Sequence, residues 1–453
     1  MMLERGTVME CEADVATHRF GVGDISDPMS VLNAPLPTRT PEVSALPLRV
    51  SFSWTLAGNV IYAACQFGML SVLAKLGSPS MVGQYALGLA ITAPVFMLTN
   101  LQLRGVQATD ARHEFEFADY FTLRLTATLL GTLVILLITA FAAYDITTKT
   151  VIVLVACAKA IETISDVIAG HLQKFERLDQ VARALMIRGT VSVAIFAVVF
   201  WLTRNLIPTV AAMALAWTAV VALYDFRVVS QVLGQHRRFF RFSVDAQKTL
   251  LSISWPLGVV MTLSSLNINV PRYILEQKLG TAELGIFASL AYLLTAINLI
   301  VIALGQSVCT RMARLFADCD ICMFKALLGK LILFAAALGT VALGVALFAG
   351  RPLLTFVYRP EYAEHIDLLL LMVVDATLVA IGSFLGFGMT AARCFRPQMP
   401  IMAATVVTTV VLTLILVPRF GLMGAGYGLL IASLVRAAAS YLALDSAMKK
   451  QEA

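Results

Sequence analysis

Lys159, Glu162 and Asp166 lie three and four residues apart inside an otherwise apolar run. On a helix that spacing puts all three on one face. There Lys159 could meet an anionic ligand, and Glu162 and Asp166 could hold a coupling ion. The same spacing suits an internal Lys–Glu pair that eases the burial of both its members. A second group is Asn267, Asn269, Pro271 and Arg272. Proline has no N–H and loosens the turn before it, so carbonyl groups there become available to a ligand. Arginine grips a phosphate through two donors, where lysine acts as a point charge, although an arginine near a helix end can also reach out to the polar interface. Asn59 and Gln66 are seven apart and so share a face, and Asn100, Asn298 and Asp375 complete the polar set. Amides most simply bond one helix to another. Asp375, alone in an apolar stretch, is either a protonation site or half of a structural pair. An ionised group in a bilayer costs at least about 2.5–3.5 kcal/mol on insertion scales, so those retained face protein or water.

The elements that must carry these residues are transmembrane helices. Hydrophobic residues make up 59% and charged residues 14% of 453 positions, with a mean hydropathy of +0.83. A soluble domain has roughly 25% charged residues, so this chain lacks the polar surface to coat a water-exposed globule. Twelve apolar runs, each near the length of about 20 residues that spans a bilayer, fall near 52–74, 83–103, 122–143, 150–170, 187–203, 207–229, 252–274, 284–305, 326–348, 366–388, 399–416 and 423–443. With the N-terminus inside, 25 lysines and arginines fall on the cytoplasmic side and 8 on the other, Lys159 lying within a span. Cationic loops resist translocation, so this asymmetry predicts a multi-pass protein of the bacterial inner membrane with both termini cytoplasmic.

A repeat divides the runs. Ser53-Trp54, Lys75-Leu76-Gly77 and Gly83-Gln84-Tyr85-Ala86 return as Ser254-Trp255, Lys278-Leu279-Gly280 and Gly285-Ile286-Phe287-Ala288. The near-constant offset, six helices apart, predicts two parallel halves related by an axis along the membrane normal. The expected fold is therefore all-α: a cytoplasmic acidic tail over 1–50 read as disordered, six-helix bundles over 51–229 and 252–443, a connector over 230–251, and a cytoplasmic tail over 444–453. His236-Arg-Arg-Phe-Phe-Arg-Phe242 in that connector mixes cations with aromatics, as a headgroup anchor does.

Several chemistries are excluded or weak. The cations are spread along the chain rather than gathered into one basic face, so no nucleic-acid partner is expected. An odd count of seven cysteines argues against a disulfide framework. Cys319-Asp-Ile-Cys322 is half of a zinc site at most, since zinc wants four ligands. No hydrolase elbow, Walker motif or metalloprotease helix occurs, so the energy for any transport would come from an ion or substrate gradient.

Several passages, in order, resemble the polysaccharide transporter family, the Wzx-type flippases of lipid-linked oligosaccharides. They are Leu103-Arg-Gly-Val-Gln-Ala-Thr-Asp110 with Asp119-Tyr120 and Leu123-Arg124; Asn269-Val-Pro-Arg-Tyr273 with Leu279-Gly280 and Glu283-Leu-Gly-Ile-Phe-Ala288; Tyr358-Arg-Pro-Glu-Tyr-Ala363; Gly388-Met-Thr-Ala-Ala-Arg393; and Leu416-Val-Pro-Arg-Phe-Gly421 with Gly424-Ala425. The match runs from about residue 50 to the end. The resemblance implies a V-shaped pair of bundles that alternate between inward- and outward-open states, in the superfamily of the MATE drug exporters and the lipid II flippases. It implies an undecaprenyl-diphosphate-linked oligosaccharide moved to the periplasmic leaflet for exopolysaccharide, capsule or O-antigen synthesis. A polysaccharide polymerase and assembly proteins would be its partners. On that view Arg272 and Lys159 meet the diphosphate, and Asn59, Gln66, Asn267 and Asn269 meet sugar hydroxyls. Glu162, Asp166 and Asp375 are the ion-coupling candidates for H⁺ or Na⁺, with no other cofactor. Helix one has no charged group in its central part, unlike the lipid II flippases. The rivals are an ion-coupled drug exporter of the same fold, a polysaccharide polymerase or ligase, and a non-transporting assembly scaffold. An exporter of cations would want acidic groups to dominate. A polymerase or ligase would want a long outer loop, whereas the longest outer connector, about 349–365, is short.

Overall fold

A computed structural model describes residues 48–110, 114–233, 239–394 and 396–452. Among these the regular structure is entirely helical. In the first half α1 spans Leu48–Leu76, α2 Pro79–Asn100, α3 Leu103–Thr109, α4 Phe117–Phe141, α5 Ile146–Lys174 and α6 Leu178–Thr203. Next, α7 (Leu206–Val220) passes through one π turn, Val221–Asp225, into α8 (Phe226–Leu233). The second half has α9 over Val244–Leu279, α10 over Thr281–Leu293, α11 over Thr295–Ala317 and α12 over Ile321–Val357. It closes with α13 (Pro360–Ala363), α14 (Ile366–Ala391), α15 (Gln398–Phe420) and α16 (Leu422–Glu452). The end of the molecule at which α1 begins is called the near end below, and the opposite one the far end.

Eleven helical segments among the described residues are long and apolar enough to cross a membrane. Helix α5 is as long, with 29 residues, but carries Lys159, Glu162 and Asp166 in its body; with it the twelve expected spans are present. Phe348 is 91% and Leu129 61% exposed. Side chains of that size, exposed along apolar helices, belong against lipid rather than water.

Three details differ from expectation. The eighth run is two helices, interrupted for one residue at Leu294, which stays right-handed (φ −83°, ψ −6°) while its N–H turns back three residues to the carbonyl of Ala291. The expected C-terminal tail is the last part of α16, with Leu444 and Met448 buried against Phe324, Phe384 and Met389. The fifth run begins nine residues earlier than its hydropathy suggests, so Arg188 lies well inside α6. The acidic tail falls outside the described residues as far as residue 47, and so do residues 234–238 of the connector.

The two halves meet where the repeat copies face each other. A Cβ on Gly83 would stand 1.7 Å from the carbonyl oxygen of Thr281, and one on Gly285 would stand 1.9 Å from that of Pro79. Only glycine permits backbones so close. Ser80 Oγ and Thr281 Oγ1 share a hydrogen bond of 2.8 Å at the same place. Lys75 Nζ donates to the carbonyl of Phe356 at 2.7 Å, and Arg359 Nε to that of Lys75 at 3.1 Å, so the far ends of α1 and α12 are also tied. Helix α9 crosses between the halves. Gly258 lets it lie on α2, where a Cβ would be 2.9 Å from the carbonyl oxygen of Leu98, and the Tyr273 hydroxyl donates to the carbonyl of Ala90. Its copy α1 packs instead on α6, with Gly58 against Ala182 and Gly189 against Tyr62 and Cys65. The repeat is thus asymmetric, and space remains between α1 and α11.

Candidate functional site

Two cavities flank the break in the eighth span and share Thr295. Successive side chains there turn to different sides, as on any helix: Leu293 lines the first cavity and Leu294 the second.

The first cavity, of about 540 Å³, lies between α1, α2, α5 and the α10–α11 break. Tyr62, Gln66, Lys159, Glu162, Tyr292 and Thr295 supply its polar lining. Lys159 Nζ donates to Glu162 Oε2 at 2.7 Å, and the Tyr62 hydroxyl donates to Glu162 Oε1 at 2.9 Å. The Lys159 ammonium also stands 5.8 Å from the centre of the Trp217 ring. The internal Lys–Glu pair is thus formed, and it stands in the wall of the cavity. The cavity carries little net charge; beside the ion pair its polar groups are two phenols, one amide and the Thr295 hydroxyl, and the rest of its wall is apolar.

Asp166, on the next turn, has other partners. It accepts from Arg124 at 3.1 Å and Arg104 at 3.5 Å, toward the near end. Arg124 is 1% exposed, so a buried cation is balanced here by a carboxylate it shares with a second cation. Asn59 sits at the near-end side of Gln66, exposed, with its amide donating to the carbonyl of Thr55 at 2.8 Å. It is absent from the residues that line the cavity.

The second cavity, of about 470 Å³, lies between α9, α11, α14, α15 and α16. Asn267, Arg272, Asn298 and Asp375 all line it, as do Ser433 and Arg436. Pro271 offers no N–H to the carbonyl of Asn267, and the Asn267 side-chain oxygen accepts from Thr409 at 2.8 Å. Asn269 is buried. Its amide nitrogen donates to the Ser265 carbonyl at 2.8 Å, leaving its oxygen to accept from Arg272 at 3.1 Å. Asn269 thus orients Arg272 rather than lining the space itself. The Arg272 Nε is buried and has no hydrogen-bond partner. Asp375 accepts from Ser433 at 2.6 Å.

Beneath the first cavity runs a buried network that the polar inventory did not anticipate. Arg188, 4% exposed, donates to Asp225 at 3.2 Å and to Ser165. The Ser192 hydroxyl donates to the Arg188 carbonyl and accepts from Trp217 Nε1. Asp225 lies on the π turn, whose extra residue re-aims side chains. Arg188 is the second residue of the apolar run 187–203 and Arg436 falls inside the run 423–443, so the run boundaries carry a signal for both.

Among the described residues, twelve membrane-length helices in two repeated halves, a far-end seam between them and two cavities with polar groups in their walls define a multi-pass membrane protein. Among solved structures, the lipid II flippase MurJ in an inward closed conformation matches with a TM-score of 0.67 at 11% identity, covering 88% of this chain and 90% of that one. An inward-facing multidrug resistance MATE family transporter of the MOP superfamily matches with a TM-score of 0.61 at 13% identity, covering 88% and 95%. These likenesses establish the shared fold. Residues 48–316 match the polysaccharide biosynthesis protein family, and the chain belongs to it. Capsular polysaccharide biosynthesis protein CapF of Staphylococcus aureus is 26% identical over 394 residues, 85% of this chain and 96% of the relative.

Proposed function

We propose that this protein is a flippase that moves an undecaprenyl-diphosphate-linked oligosaccharide from the cytoplasmic to the periplasmic leaflet by alternating access. The observation that carries the reading is the pair of cavities that share Thr295 in their walls. One is nearly neutral and offers two phenols, an amide and a hydroxyl that can bond sugar hydroxyls, and the other holds arginines for a phosphate. A diphosphate and sugars cannot cross hydrocarbon unaided, and a polar cleft lowers that barrier. Membership of the polysaccharide biosynthesis family and the MurJ-like fold support the same cargo class. The near end is read as cytoplasmic, from the excess of lysine and arginine there. Glu162 and Asp375, each lining a cavity, are the groups through which H⁺ or Na⁺ would couple; Asp166, held by two arginines, serves instead to anchor α5.

Deleting the gene and locating the lipid-linked intermediates tests the reading. Loss of surface polysaccharide with the glycan held on the cytoplasmic leaflet is expected. Unaltered export, or accumulation on the periplasmic leaflet, would overturn it.

A further inference from the structure

The second cavity contains a cation that the sequence motifs do not mark. Arg436 lies on α16 in the body of the span and makes no hydrogen bond or ion pair among the described residues. Its side chain runs toward α14, where Nε is 3.9 Å from the position a Cβ would take on Gly382. Asp375 lies on the same face of α14 two turns earlier but is bonded to Ser433. An ionised arginine inside a span is retained where something repays its desolvation. The described side chains supply no such partner.

Depth separates the two arginines. Arg272 lies seven residues before the far end of α9 at Leu279, and Arg436 fourteen residues after the far end of α16 at Leu422. At about 1.5 Å of rise per residue, Arg436 is about 10 Å closer to the near end. Asp375, nine residues into α14 from its far end, falls between them.

We infer that Arg436 is a second anion station, which receives the phosphoryl group of the cargo on the near side before Arg272 takes it on the far side. The inference rests on the flippase reading for the identity of the cargo. Guanidinium groups with free donors match phosphoryl oxygens in charge and geometry. The Asp375 carboxylate between them keeps either station from becoming a trap, since passage needs binding weak enough to release. Asn267 and Asn298 line the same space and can follow the group as neutral donors.

The shared chemistry is a phosphoryl anion, which a membrane phospholipid could also provide. The test uses the wild-type protein in phosphatidylcholine nanodiscs, with phenylglyoxal modification of arginines read by mass spectrometry. Farnesyl diphosphate should protect Arg436 and Arg272, whereas farnesol should not, and exposed Arg393 should react equally in all samples. Arg436→Gln should weaken farnesyl diphosphate binding by about tenfold or more, and Arg436→Lys should retain part of it. Equal modification of Arg436 with and without the diphosphate would overturn the station. So would protection of Arg436 in phosphatidylglycerol nanodiscs without added diphosphate, which would assign it to a lipid headgroup. Transport of a lipid-linked oligosaccharide in vesicles is scored separately. No transport together with Arg436 protection removes the cargo and keeps the station, and transport without protection does the reverse.

Discussion

Gly83 and Gly285, equivalent positions of the internal repeat, pack against each other's helices at the far end with no room for a side chain on either. Each faces a backbone carbonyl of the opposite copy, that of Thr281 or Pro79, at under 2 Å from its would-be Cβ. The seam brings the starts of α2 and α10 together and closes the far side of the cleft. In an alternating-access cycle this contact would have to separate.

Gly83→Val should therefore force the halves apart at this end. In a background whose native cysteines are replaced by serine, Ser80→Cys with Thr281→Cys should crosslink readily, given the 2.8 Å contact of the native hydroxyls. Adding Gly83→Val should abolish the crosslink and lower the melting temperature. Crosslinking at an unchanged rate would show that the seam is not set by these glycines.

Lys159 and Glu162 should behave as one unit. Glu162→Gln and Lys159→Met should each destabilise the protein and impair export, because each leaves an uncompensated ion at the cavity wall. The double variant should be more stable than the two single losses predict, with a coupling of roughly 1–3 kcal/mol in a double-mutant cycle. Strict additivity in thermal unfolding would contradict the pairing.

Asn269 acts through Arg272. Asn269→Ala should lower export less than Arg272→Gln does, and combining the two should be no worse than Arg272→Gln alone. An export assay in which the double variant falls well below both would mean that Asn269 has an independent task.

The buried pair of Arg188 and Asp225 should dominate stability in the first half. Arg188→Met strands a carboxylate and should cost about 3–5 kcal/mol, whereas Arg188→Met with Asp225→Leu should recover most of it. Denaturant or thermal midpoints in detergent would report the difference.

At the near end, outside the spans, Asp110 and Lys174 form a 2.9 Å ion pair in which both side chains are less than a tenth exposed. Burial pushes the Asp110 carboxyl up, but the bonds from Lys174 and the amides of Glu114 and Phe115 outweigh it and hold the group below its ordinary value. A depressed carboxyl contributes stability that is complete above the unfolded pKa, about 3.9, and disappears as pH falls through the lower folded value. Asp110→Asn should thus lower the melting temperature at neutral pH, and its deficit against wild type should shrink as the medium is acidified below about pH 4. A deficit independent of pH would place the effect in packing.

What the sequence determined by itself is whatever depends on local composition. Hydropathy adds up residue by residue, so the spans from 52–74 to 423–443 could be read directly, and the copies at Trp54 and Trp255 marked two halves. Lys159, Glu162, Gln66, Asn267, Arg272 and Asp375 stood out because polar groups are scarce in such runs, and all six line a cavity. Tertiary structure decided which of them are free to meet a ligand. Lys159 is neutralised by Glu162, Asp166 is held by Arg104 and Arg124, and Asn269 turns inward to orient Arg272. Asn59 stays on its own helix. Arg188 and Arg436 lie within the protein. Pairing depends on how each helix is rotated and on partners far away in the chain, from Tyr62 to Glu162 or from Asn267 to Thr409. The interruption at Leu294, beside the Thr295 that both cavities share, could not be read from the sequence, because its neighbours alone form one continuous apolar span.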